Sequence, residues 1–161
     1  MDKLEYIPGD FVMTNGVPLG TAKDVVYRVT SSDPSETLKF GDGTVLKGVV
    51  RLENIEGAEF GDKGYLLGDC CAWVKAIVPI PLTPEILEKN GWDFTGYQMD
   101  FDGFLLNIYS KRDILPYLYY YYATKDFSVF ICGEEVLLDM KYVHQLQHLL
   151  FGLGINHEME V

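Results

Sequence analysis

The chain of 161 residues carries 24 Asp and Glu against 13 Lys and Arg, a formal net charge of −11, with 48% hydrophobic residues, eleven Tyr and nine Phe. That make-up excludes a disordered chain and allows one full core or two small ones. The thirteen cations are scattered, so a phosphate backbone would be repelled and no direct nucleic-acid partner is expected.

The opening MDKLEYIPGD has no basic stretch followed by an apolar run, and no apolar run in the chain reaches membrane-spanning length. A cytoplasmic protein with no membrane partner is the expectation. Cys70, Cys71 and Cys132, an odd set with an adjacent pair, make no disulfide framework.

From Tyr6 to about Val78 the sequence predicts short strands cut by turns. Gly9–Met13, Val25–Thr30, Thr44–Leu52, Gly64–Gly68 and Ala72–Val78 are rich in β-branched and aromatic residues. Asn15-Gly16, Asp42-Gly43 and Gly61-Asp62 between them are turn signals. About five such strands closing on themselves predict a small β-barrel over residues 1–78, because closure removes exposed edges.

Residues 79–161 are expected to form a second layered domain: a short helix, an antiparallel sheet and a closing helix, an α+β arrangement. Pro79 and Pro81 mark an extended connector. Thr83 then caps a helix with Pro84 in its first turn and Gly91 after its last residue, and Trp92 is its expected contact. Strands are predicted over Tyr97–Phe101, Phe104–Ser110, Leu118–Tyr122, Phe127–Cys132 and Val136–Leu138. Asp102-Gly103 is the strongest hairpin signal, and Gly133-Glu134-Glu135 is a further turn. Leu138–Leu153 predicts an amphipathic helix, capped by Asp139 and stopped at Gly152 and Gly154. Its apolar stripe is Val143, Leu146, Leu150 and Leu153, widened by Tyr142 and Leu149.

His144 and His148, four apart, have the spacing with which two imidazoles share a zinc ion. A hydrolytic zinc site needs a Glu after the first histidine, and that residue is Gln145. His157 and Glu158, the possible further ligands, lie past the glycines that end the helix. Both histidines are therefore expected on a solvated helix face, with no metal or cofactor. Asp100 and Asp102 lack the distal oxygens of a calcium loop, and Gly41–Thr44 lacks the end and the helix of a phosphate loop. No Gly-x-Ser-x-Gly elbow or activated cysteine is present, so no catalytic residue is named and no enzyme is expected.

The run Tyr117, Tyr119, Tyr120, Tyr121 and Tyr122 is the most unusual stretch. In a strand, Tyr117, Tyr119 and Tyr121 face one way and Leu118, Tyr120 and Tyr122 the other. One set can line a core, and the other can form an aromatic shelf that binds a partner by stacking. Burial between layers or in a homo-oligomer contact is the competing use of the same residues. Arg51 and Arg112 are the cations that a small nucleotide-like ligand would need beside aromatic walls.

Two resemblances bear on these expectations. Pro8-Gly9-Asp10-Phe11-Val12 resembles the start of SH3-like barrels, in which a Gly-Asp pair often begins the first strand. The stretches PIPLTPEILEKNGW (79–92) and YVHQLQH (142–148) resemble small uncharacterised proteins of gut bacteria, their phages and other mobile elements. That resemblance implies an intracellular accessory protein and carries over no activity. In that group the late helix often has Asn at the position of His148. The function expected is a non-enzymatic binding or adaptor protein that interferes with a host protein through its Tyr-rich sheet or acidic surface. The alternative is a protein that sequesters a nucleotide-like signal.

Overall fold

The computed structural model describes residues 5–17, 21–43, 45–55 and 70–161; the strand expected over Gly64–Gly68 and the Gly61-Asp62 turn lie outside them. Over the described residues the protein is mostly β, with two five-stranded antiparallel sheets and two short helices. One sheet belongs to a unit over Met1–Ile80 and the other to a unit over Pro81–Val161.

The first unit contains β1 (Phe11–Thr14), β2 (Tyr27–Lys39), β3 (Val45–Asn54), β4 (Cys70–Trp73), a 3-10 turn (Val74–Ala76) and β5 (Ile77–Pro79). The strands lie in the order β4-β3-β2-β1-β5, each antiparallel to its neighbour. Tyr6, Val12, Tyr27, Val29, Val50, Leu52, Ala72 and Ile77 form its core, with Val25 and Val74 packed against them. The Gly9-Asp10 pair opens β1. Gly9 takes a positive φ of 98°, its N–H donates to Val29 O at 2.8 Å, and Asp10 Oδ2 accepts from Ile7 N at 2.9 Å.

The closed barrel expected over 1–78 is not formed by hydrogen bonding among the described residues, because β4 and β5 stand at opposite ends of the strand order. The sheet is nevertheless strongly curled. Laid flat, four strand spacings would separate β4 from β5 by roughly 19 Å. The steps from Trp73 to Ile77 reach at most about 14 Å even when fully extended.

The long β2 supplies part of that curl. Its register against β3 slips between Val29 and Ser31 and again between Asp33 and Thr37, and such bulges bend a strand and increase its twist. Pro34 falls in the second bulge, where no ladder N–H is needed. Asp33 Oδ1 accepts there from Ser35 N, Ser35 Oγ and Glu36 N. Gly48, on the facing strand, has φ +68°, and an added Cβ would stand 3.3 Å from Val74 Cγ2.

The expected strand Ala72–Val78 is in fact two, split by the 3-10 turn and pairing with β3 and β1 respectively.

The second unit runs α1 (Pro84–Lys89), β6 (Asp93–Met99), β7 (Leu105–Ser110), β8 (Tyr117–Tyr121), β9 (Asp126–Ile131), β10 (Glu134–Met140) and α2 (Val143–Gly152). The five strands form a simple meander in chain order. Thr83 Oγ1 accepts from Ile86 N, and Pro84 occupies the first turn of α1 as expected. The β6–β7 hairpin is organised by Asp100, whose Oδ1 accepts from Asp102 N and Phe104 N, with Gly103 at φ +83°. These bonds account for the Asp100 carboxylate. The β9–β10 turn is Cys132-Gly133, both at positive φ, the conformation of a two-residue type I′ hairpin.

The closing helix is shorter than Leu138–Leu153. Leu138, Asp139 and Met140 belong to β10, where Met140 pairs with Phe127 of β9 across a register irregularity, and the cap is Tyr142, not Asp139. Gln145 completes that end: its Oε1 accepts from Lys141 N at 2.7 Å and Tyr142 N at 3.0 Å. The far end is closed by Ile155 N→Leu150 O and Gly154 N→Phe151 O, the two bonds of a Schellman motif with Gly154 at φ +69°. Val143, Leu146 and Leu150 are buried as the stripe requires, whereas Leu153 is exposed.

Leu82 N donates to Lys141 O, and Pro81 bridges to Tyr142, so the strands leading into the two helices run side by side. Beyond α2, the Asn90 side chain holds residue 160. Its Nδ2 donates to Glu160 O at 2.6 Å and to Ile86 O at 2.8 Å, and its Oδ1 accepts from Glu160 N at 2.7 Å. Met159 is buried beside this clamp. Among the described residues no helix is long and apolar enough to cross a membrane.

Candidate functional site

The register of β7, β8 and β9 assigns each side chain to one side of the second sheet. Asn107, Tyr109, Leu118, Tyr120, Phe127 and Val129 share one side, and Leu106, Ile108, Tyr119, Tyr121, Ser128 and Phe130 the other. On the first side Leu118, Phe127 and Val129 are fully buried, and Tyr109 and Tyr120 nearly so. Their rings interlock, Tyr120 with Phe127 at 4.8 Å and Tyr109 with Phe127 at 6.4 Å between centroids.

Helix α1 lies along this same side and leaves a groove of about 580 Å³. Thr83, Glu85 and Glu88 form one bank, and Phe94, Tyr109, Tyr120 and Tyr122 provide the aromatic surface, with Asn107 and Lys125 also in the lining. Asn107 Nδ2 donates to the Tyr122 hydroxyl at 2.8 Å, and the Tyr122 ring meets Tyr120 edge-on at 5.1 Å. Phe94 meets Tyr109 in the same way at 6.0 Å.

The electrostatics of the groove follow from this placement. The Glu85 carboxylate accepts from its own backbone amide and from the Thr83 hydroxyl, which holds it below the ordinary glutamate value. Burial raises the Tyr109 phenol above its usual range; Asn107 opposes this, and the Glu88 charge adds to the rise. Tyr120 is raised by burial first and then by Tyr122 and Glu85.

The expected site residues fall as follows. Tyr117, Tyr119 and Tyr121 do share one side of β8, opposite Leu118 and Tyr120, and only Tyr117 is largely exposed. Tyr119 is stacked on Phe130 at 4.2 Å. Tyr121 bonds to Ser128, and its phenol is raised chiefly by burial. Tyr122, beyond the end of β8, belongs to the groove. Arg51 lies in the first unit, with Nη1 at 3.4 Å from Cys71 Sγ and Nη2 at 4.0 Å from Glu36. Arg112 lies in the second unit, in a hollow of about 550 Å³ with Tyr117, Lys111, Asp93 and Asp113.

The solvated face expected for the histidine pair is corrected for His144. It is buried, lies parallel to Tyr142 at 5.8 Å and meets His148 edge-on at 5.6 Å. The third histidine, His157, packs against Phe151 instead. Among the described residues, no three His, Cys, Asp or Glu side chains gather as a metal site would require.

The feature that sequence reasoning missed is the outer end of this sheet. On β6, Phe94, Tyr97 and Met99 are 49%, 72% and 56% exposed, and Tyr122 nearby in the lining is 53% exposed. A strand pattern in the sequence predicts half-burial, and nothing in it says that neither side of β6 is covered. Compared with family models, curated proteins and solved structures, the chain matches none.

Proposed function

We propose that the chain is a non-enzymatic binding protein that holds a protein partner along β6, the outer strand of its second sheet. The observation that carries this reading is the difference between the two edges of that sheet. β10 bears Glu134, Glu135 and Asp139 and two register irregularities, devices that keep an edge from pairing with another chain. β6 has one irregularity, at Phe94 to Gly96; its run Gly96–Met99 is in regular register and carries no charge. An uncharged run in regular register with Tyr97 and Met99 exposed suits strand addition, in which main-chain bonds give affinity and side-chain contacts give specificity.

For the first unit we propose an SH3-like barrel. The strand order, the 3-10 turn between the last two strands and the Gly9-Asp10 opening support that assignment. Barrels of this kind serve many functions, so the binding role rests on the second unit. The resemblance of residues 79–92 and 142–148 to proteins of phages and mobile elements favours an accessory protein that engages a host component.

The test is affinity capture from bacterial lysate with the full chain and with a Tyr97→Asp, Met99→Asp variant of equal thermal stability. A protein retained by the first and lost by the second supports the reading. Identical eluates from both overturn it.

A further inference from the structure

The groove beside β6 has a charge and a lining that select one class of guest. Glu85 and Glu88 bring two carboxylates to it and Lys125 one ammonium, so the balance is negative, within a second half that is itself net −7. Four aromatic rings supply the apolar surface. Rings with negatively polarised faces next to carboxylates favour a cation that also carries an apolar stem, because the stem covers the rings while the head meets the anions. A neutral or anionic guest would gain the apolar contact and forfeit the charge.

Position ties this groove to the edge strand. Phe94 is both a residue of β6 and a wall of the groove, and Tyr97 and Met99 are assigned by register to the same side of the sheet. An extended segment laid along β6 therefore passes the groove mouth, and its alternate side chains point toward that side.

We propose that the groove receives a cationic side chain, arginine or lysine, from a partner segment bound along β6. This deepens the reading of β6 as the binding edge and rests on it for the identity of the guest as a peptide. Tyr122, fixed by Asn107 at 2.8 Å, and Phe94 are the rings with exposed surface to offer. Glu85 and Glu88 neutralise the head, and Lys125 opposes binding.

The test is a nuclear magnetic resonance titration of the full chain with Nα-acetyl-arginine N-methylamide and with its citrulline counterpart, which has the same shape and no charge. The arginine probe is expected to shift the Asn107 side-chain amide and the Tyr122 and Phe94 ring signals, with the citrulline probe weaker by about fivefold or more, the factor a partly exposed cation–ring contact provides. Glu85→Gln, Glu88→Gln should weaken the arginine probe by about twofold or more, the worth of two exposed ion pairs, and Lys125→Gln should tighten it. Equal binding of the two probes, preference for an acetyl-glutamate probe, or shifts confined to other surfaces would overturn the proposal. In the lysate experiment, a partner that depends on Tyr97 and Met99 but not on Glu85 and Glu88 leaves the edge reading standing and removes the groove. A groove that takes the arginine probe while capture ignores Tyr97 and Met99 overturns the edge reading and the assignment of the guest to a segment along β6, and leaves only the preference of the groove for a cation.

Discussion

Asn90 joins the end of α1 to the segment that follows α2, and Asn90→Ala is the sharpest probe of how the second unit is held together. The substitution deletes three side-chain hydrogen bonds of 2.6, 2.7 and 2.8 Å. Each is worth about 0.5–1.5 kcal/mol net, and the two to Glu160 take the low end because water can replace them. The expected loss is therefore about 1.5–2.5 kcal/mol, or a fall in Tm of roughly 6–20 °C for a unit of this size. Asn90→Asp is expected to be at least as damaging. It keeps the acceptor for Glu160 N but sets a carboxylate against the Ile86 and Glu160 carbonyls. Hydrogen exchange supplies the local readout. The Glu160 amide should exchange about tenfold faster or more in Asn90→Ala, beyond what global destabilisation explains, while amides of β8 and β9 follow global stability. Unchanged protection at Glu160, or stability within about 0.3 kcal/mol of the parent chain, would refute the clamp.

Three further outcomes follow from the same geometry. Gln145→Ala removes the acceptor for Lys141 N and Tyr142 N and should cost about 1 kcal/mol in urea unfolding. Gln145→Glu, which keeps the acceptor and places a negative charge at a helix N-terminus, should cost nothing. Leu118→Ala, at a fully buried position in the middle strand, should cost about 2–5 kcal/mol in the same assay. The pH dependence concerns Tyr109, Tyr120 and Tyr121, whose phenols are raised from 10.0 chiefly by burial. A raised folded value means that the neutral form is favoured in the fold. This contribution is fully present below about pH 10 and is lost as pH rises through the folded values. Ultraviolet titration should show these phenols ionising late, together with loss of structure, and a single common step near pH 10 for all tyrosines would contradict it.

What was legible in the sequence was whatever depends on neighbours in the chain. Thr83 and Pro84 announce α1, Asp102-Gly103 announces its hairpin, and Gly154 ends α2, because caps and tight turns are local chemistry. The facing of the tyrosines on β8 was equally readable, since alternation along a strand has a period of two.

What was not legible depends on partners far along the chain. Leu138 to Met140 stand at the head of the amphipathic stretch in sequence, yet they extend β10, anchored by the pairing of Met140 with Phe127 of β9. Ser31 to Lys39, polar and containing Pro34, carry no strand pattern in sequence, yet the ladder with β3 holds them as a bulged strand. Gly133-Glu134-Glu135 is a turn signal in sequence, yet Glu134 and Glu135 open β10 and the turn is Cys132-Gly133, both at the positive φ that a two-residue hairpin demands. Gln145, in sequence a departure from a zinc motif, is the acceptor that closes the helix end. The groove needs residues 83–88 beside side chains from residues 94 to 125, a proximity that no spacing in the sequence encodes.

The most direct measurement of the binding claim is selection of random displayed peptides against the full chain. The account predicts enriched extended sequences that carry arginine or lysine among apolar residues, with the enrichment abolished by Tyr97→Asp, Met99→Asp and reduced by Glu85→Gln, Glu88→Gln. Enrichment of acidic peptides, or equal selection by the Tyr97→Asp, Met99→Asp variant, would contradict it.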